Sequence, residues 1–157
     1  MFGIFRPRLA GLAALGLALA GPASAAEARA AQVEVRDAWS RPAAAGATGA
    51  GYLTLVNHGR MADALIGAAT PAARRVEIHR TRMAGGVMSM ARVSRVAIPA
   101  GASVTLAPGG THLMLIGLAR AQRPGEEIPA VLSFASGARV RTRLAVRIEP
   151  PKTAMAH

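Results

Sequence analysis

Short runs of apolar residues at a period of two, each closed by a Gly, Pro, Asn or Asp turn, fill this chain from Val33 to Ile148. That rhythm constrains the fold more than any other feature, because a period of two is a strand with one buried face. The last run is the clearest. Val140, Thr142, Leu144, Val146 and Ile148 alternate with Arg139, Arg141, Arg143, Ala145 and Arg147. Earlier runs cover residues 33–36, 51–56, 63–68, 76–79, 87–93, 96–98, 103–106, 112–116 and 128–134. Between them stand Asn57-His58-Gly59, Gly85-Gly86, Pro99-Ala100-Gly101, Pro108-Gly109-Gly110 and Ala135-Ser136-Gly137, all good turn formers. Many short strands with frequent turns predict an all-β domain, a sandwich or barrel. No long amphipathic helix and no internal repeat interrupts the pattern.

The first residues read differently. A short basic start carrying Arg6 and Arg8 leads into an apolar run of Leu, Ala and Gly. Small residues in an A-x-A pattern follow at Ala23-Ser24-Ala25. This is the form of an export signal, with cleavage expected after Ala25 or Ala26. The apolar run falls short of the ~20 residues that a membrane span needs. The expected organisation is a signal peptide over 1–26, a flexible leader over 27–32, one β-domain over 33–148 and a disordered tail over 149–157. No second long apolar segment follows, so the mature chain is expected to lack a transmembrane segment. Cysteine is absent, so an exported domain must be held by packing, without disulfides. The missing thiol also excludes a blue-copper centre. The formal charge is +11, but the arginines are scattered and aromatics make up only 3% of the residues. With the export signal, this reads as a solvated basic surface rather than a nucleic-acid interface.

Within this framework two histidines and two methionines stand out. Ten residues separate His79 from Met90, twenty-one separate Met90 from His112, and Met114 lies two beyond. Imidazole and thioether without any thiolate form a soft, uncharged set that favours Cu(I) over Zn(II), Mg(II) or Ca(II). Strand alternation places His112 and Met114 on one face, with Leu113 and Leu115 on the other. Met88 and Met90 share a face in the same way. Val76 and Ile78 turn toward the core, leaving His79 outward beside Glu77. The four candidates therefore sit away from the core and near the surface, within reach of a partner. Met88 reads as packing filler. Met83 is open between filler and an accessory ligand. His58 reads as a solvated turn residue, and Met155 and His157 as tail composition.

The same residues, and the blocks around them, resemble the periplasmic copper(I) chaperones of the PCuAC family. The family pattern is His, ten residues, Met, twenty-one residues, then His-x-Met. Asp37-Ala38-Trp39-Ser40-Arg41-Pro42, Gly51-Tyr52-Leu53-Thr54-Leu55, Gly86-Val87-Met88-Ser89-Met90 and Pro108-Gly109-Gly110-Thr111-His112-Leu113-Met114 look like successive family blocks. The resemblance covers residues 33–148. It implies a cupredoxin-like Greek-key β-sandwich, with Cu(I) held by His79, Met90, His112 and Met114. It further implies carriage in the periplasm and delivery to the copper-accepting domain of cytochrome c oxidase, alongside Sco-type thiol proteins. A monomer is expected. Arg80 and Arg82 put positive charge where many members are acidic. The tail is shorter in His and Met than in many members.

No reaction is expected of such a carrier. The chain shows no Ser/His/Asp arrangement in a recognisable context and no phosphate-binding glycine loop, and it has only eight acidic residues. Two other functions fit the sequence. One is a periplasmic copper-sequestering resistance protein using the same ligands. The other is a metal-free β-sandwich that binds an anionic partner through its basic surface.

Overall fold

Every alternating run of the sequence becomes a strand. In the computed structural model, residues 24–30 and 32–152 are described. A short helix, α1 (Ala25–Ala30), precedes ten strands. These are β1 (Val33–Ser40), β2 (Gly49–Asn57), β3 (Asp63–Ala69), β4 (Ala73–Ala84), β5 (Val87–Arg92), β6 (Val96–Ile98), β7 (Ser103–Leu106), β8 (Thr111–Leu118), β9 (Glu127–Phe134) and β10 (Arg139–Val146). Most of the signal segment, and Met155 and His157 of the tail, lie outside the described residues.

The strands hydrogen-bond in the order β5-β4-β8-β2-β1-β10-β9-β3-β6, with β7 also paired to β2. All pairs are antiparallel except β1 with β10. The inward side chains of these strands gather in one hydrophobic core, and β3 and β4, consecutive in the chain, adjoin without pairing. This is the cupredoxin-like β-sandwich, and its single core is the reason the runs alternate. Leu53, Leu55, Leu113, Leu115, Leu132 and Phe134 are all at most 1% exposed. Each such side chain contributes about 1.5–3 kcal/mol by leaving water.

Three local features position the face described below. Gly85 and Gly86 have φ of +57° and +76°, the paired positive values of a two-residue type I′ hairpin between β4 and β5. In β1, Asp37 has φ of +49° and the register with β2 shifts between Arg36 and Trp39. This bulge inserts one residue, so odd-numbered Trp39 leaves the core face of Val33 and Val35 and pairs with Tyr52 on the other side. Finally, β4 runs well past the expected 76–79. Residues 80–84 carry no apolar alternation, because that end of the strand extends beyond the core and is held by backbone pairing to β5 and β8.

Residues 27–32, read as a flexible leader, begin within α1. Ser24 and Glu27 form a reciprocal capping box: Glu27 N donates to Ser24 Oγ at 3.2 Å, and Ser24 N donates to Glu27 Oε2 at 2.7 Å. At the other end β10 stops at Val146, leaving Ile148 73% exposed.

Candidate metal centre

The register of three adjacent strands gathers the histidines and methionines on one face. His79 of β4 lies directly opposite His112 of β8, and Glu77 opposite Met114. On the other side of β4, Thr81 lies opposite Met90 and His79 opposite Arg92 of β5. Facing residues of an antiparallel pair share a side of the sheet. Thus His79, Met90, His112 and Met114 stand together on the side opposite Ile78, Leu113 and Leu115. The two imidazole centroids are 6.4 Å apart.

An aromatic layer supports this face. Trp39 and Tyr52 rings are 4.6 Å apart, Tyr52 lies 6.3 Å from His112, and the Arg41 guanidinium stands 6.0 Å over Trp39. Burial pushes the Tyr52 phenol above its ordinary pKa, so it remains protonated. Exposure is graded across the face. His112 is 6% exposed and the His79 side chain 17%, whereas Met90 is 50% exposed. Met88, Met90, His112 and Met114 line a cleft of about 410 Å³ with Tyr52 and Arg41.

The hydrogen bonds fix which ring atoms are available. His112 Nδ1 lies 3.0 Å from the Gly110 carbonyl. A carbonyl only accepts, so Nδ1 donates and the lone pair of the neutral ring sits on Nε2. His79 is arranged the other way round. Its Nε2 lies 2.9 Å from Glu77 Oε2, and its buried Nδ1 has no partner among the described residues. With Nε2–H donated to the carboxylate, the free lone pair of the neutral ring is on Nδ1. An unpaired buried polar atom is rare and costly. Here it is the atom that a metal ion would satisfy, and the carboxylate behind it is the partner that metal-binding histidines normally have. Glu77 is itself held by Arg75 Nε at 3.0 Å, with an Arg92 nitrogen at 3.9 Å. The His79 hydrogen bond, followed by that of Arg75, draws its carboxyl below the usual range.

Among the described residues, no three or more His, Cys, Asp or Glu gather where they could hold a metal. Beside the two imidazoles on this face stand the thioethers of Met90 and Met114, donors of the kind that suit Cu(I). Arg80 and Arg82, whose charge was a concern for the site, pair with Thr111 and Ser89 on the opposite side of β4. Arg80 Nε donates to Thr111 Oγ1 at 3.2 Å. His58 is not simply solvated: its Nε2 lies 2.7 Å from Glu34 Oε2, away from this face. Sequence reasoning placed Glu77 beside His79 but gave it no role. The available signal was a carboxylate two residues from a histidine on the same strand.

Residues 33–146 match the sequence model of a family described as "Putative lipoprotein LpqE-like". The chain belongs to the LpqE-like family. "Putative lipoprotein Lxx21020" of Leifsonia xyli subsp. xyli is 36% identical over 106 residues, 67% of this chain and 63% of that protein. The chain therefore spans less than two thirds of the length of this LpqE-like relative. The word lipoprotein is said of those proteins, and the sequence here contains no cysteine. Among solved structures, the copper-bound PCuAC domain from PmoF2 is similar, with a TM-score of 0.62 and 26% identity over 76% of this chain and 94% of that one. The solution structure of CuI-DR1885 from Deinococcus radiodurans gives a TM-score of 0.57 and 32% identity over 78% of this chain and 85% of that one. In the described residues no helix is long and apolar enough to cross a membrane.

Proposed function

We propose that this protein is a periplasmic copper carrier. It binds one Cu(I) through His79, Met90, His112 and Met114 and delivers it toward the copper centre of cytochrome c oxidase. The observation that carries this reading is the pair of facing histidines. Each has one ring nitrogen committed to a hydrogen bond and the other free, with thioethers alongside. The donor atoms are His79 Nδ1 and His112 Nε2, joined by the sulfurs of Met90 and Met114. Likeness to domains solved with copper bound supports the choice of metal.

The arrangement suits release as well as capture. Imidazole and thioether are neutral ligands, so the bound ion keeps its full charge and exchanges more readily than from thiolates. The exposed sulfur of Met90 is the ligand that an acceptor reaches first, while buried His112 retains the ion until the new bonds form. Copper stays monovalent throughout, and nothing is oxidised or reduced.

Deletion of the gene separates delivery from storage. On this reading oxidase activity falls in copper-limited medium and is restored by the parent but not by H79A. Normal oxidase activity combined with heightened copper sensitivity would make the protein a sequestering agent. Copper-independent rescue by H79A would leave the metal-free module.

A further inference from the structure

Three of the seven methionines crowd the outside of one hairpin. Met83 is 65% exposed, Met88 62% and Met90 50%. Large apolar side chains are normally inside, and all six residues of β5 are exposed, so core packing accounts for neither Met83 nor Met88. The hairpin does order them. Ala84 pairs with Val87 beside the Gly85-Gly86 turn, and Met83 pairs with Met88 at the next position. After a two-residue turn that position is not hydrogen-bonded, so the Cα atoms approach to about 4.5 Å and the side chains lie closest. Thr81 with Met90, then His79 with Arg92, repeat the same geometry inward along the same face. Met88 also lines the cleft that holds Met90, His112 and Met114. Met83, Met88 and Met90 thus follow one another along one face of the hairpin toward the two histidines. Arg80 and Arg82 of β4 lie on the other face.

We propose that Met83 and Met88 form an outer binding site for a soft monovalent ion. From there Cu(I) passes by ligand exchange through Met90 to the His79–His112 centre. The proposal rests on the copper-carrier reading above. Each step replaces one neutral ligand by another, so no electron or proton moves. Two facing thioethers meet the low coordination needs of Cu(I) or Ag(I) and offer little to Zn(II) or Ca(II).

The test uses the full chain labelled at the methionine methyl groups and titrated anaerobically with Ag(I), then Cu(I), by NMR. The first equivalent is expected to shift Met90 and Met114, and further metal to shift Met83 and Met88 together and saturably. M83L/M88L keeps the apolar surface and removes both sulfurs. It is expected to retain the first equivalent, lose the second, and load several-fold more slowly from a Cu(I)–chelator complex. Absence of a paired, saturable response at Met83 and Met88 overturns the outer site. Parental loading by M83L/M88L overturns the relay and leaves the hairpin as apolar surface only. If instead the inner centre is misassigned, Met90 and Met114 stay still and H79A binds like the parent. The response of Met83 and Met88 is read separately.

Discussion

At the scale of the residue, the centre depends on which imidazole nitrogen is free, and that choice is made by neighbours. Gly110 fixes His112 through its carbonyl, and Glu77 fixes His79 through its carboxylate. Outer partners of this kind are typically worth 10–100-fold in metal affinity, so E77A should weaken Cu(I) binding by about that factor. E77Q keeps an acceptor oxygen and should lose less. Chelator competition measures both, and equal binding by E77A and parent would remove Glu77 from the site. The strand period turned each of the four candidates away from the core in the sequence, while their grouping as one site was implied by the family resemblance. The role of Glu77 was not. It depends on a 2.9 Å contact and an unpaired ring atom, which appear only when side chains are placed.

At the scale of the element, the β4–β5 hairpin carries Met90 and hangs beyond the core, so its turn sets its stability. Gly86 has φ of +76°, and a side chain there costs about 1–2 kcal/mol. G86V is expected to fray β5, raise amide exchange there and weaken Cu(I) binding, while global unfolding changes little. A G86V protein with parental exchange in β5 would contradict this. Elsewhere Glu34 of β1 joins Arg36 and His58, which lies just past β2, at 2.7 Å each. The Arg36 and then the His58 hydrogen bonds lower its pKa to about 2 from the ordinary 4.5. A depressed carboxylate pKa stabilises the fold above the ordinary value, and the effect is lost as pH falls through the folded one. E34Q should therefore melt below the parent at pH 6, with the gap closing between pH 4.5 and about 2. A gap unchanged down to pH 2 would refute the network. Strands with one buried face were legible from alternation, and β5, exposed along its whole length, from the Gly85-Gly86 turn before it. The outer half of β4 was not, because both its faces meet solvent, nor was the β1 bulge, because apolar Trp39 continues the odd-numbered pattern of Val33 and Val35 although it lies on the other face.

At the scale of the whole molecule, strand order brings the parts of the centre together. β4 and β5 form a hairpin and β8 follows two strands later, yet β4 lies between the other two in the sheet. Local pattern announces strands but not their neighbours, so periodicity predicted a sandwich or barrel and the resemblance to a known family implied its cupredoxin-like Greek-key arrangement. The fold then supplies a rigid base, with Leu113 and Leu115 at 1% exposure directly behind His112 and Met114. That base anchors the two histidines while the hairpin leaves Met90 open to an acceptor. The most direct test is an anaerobic Cu(I) titration of the protein against a chromogenic chelator. It is run beside a variant lacking the His79, Met90, His112 and Met114 side chains and shown by circular dichroism to be folded. One tight equivalent in the parent, lost in the variant, is the predicted result. Equal tight binding by both would contradict the assignment of the centre to this face.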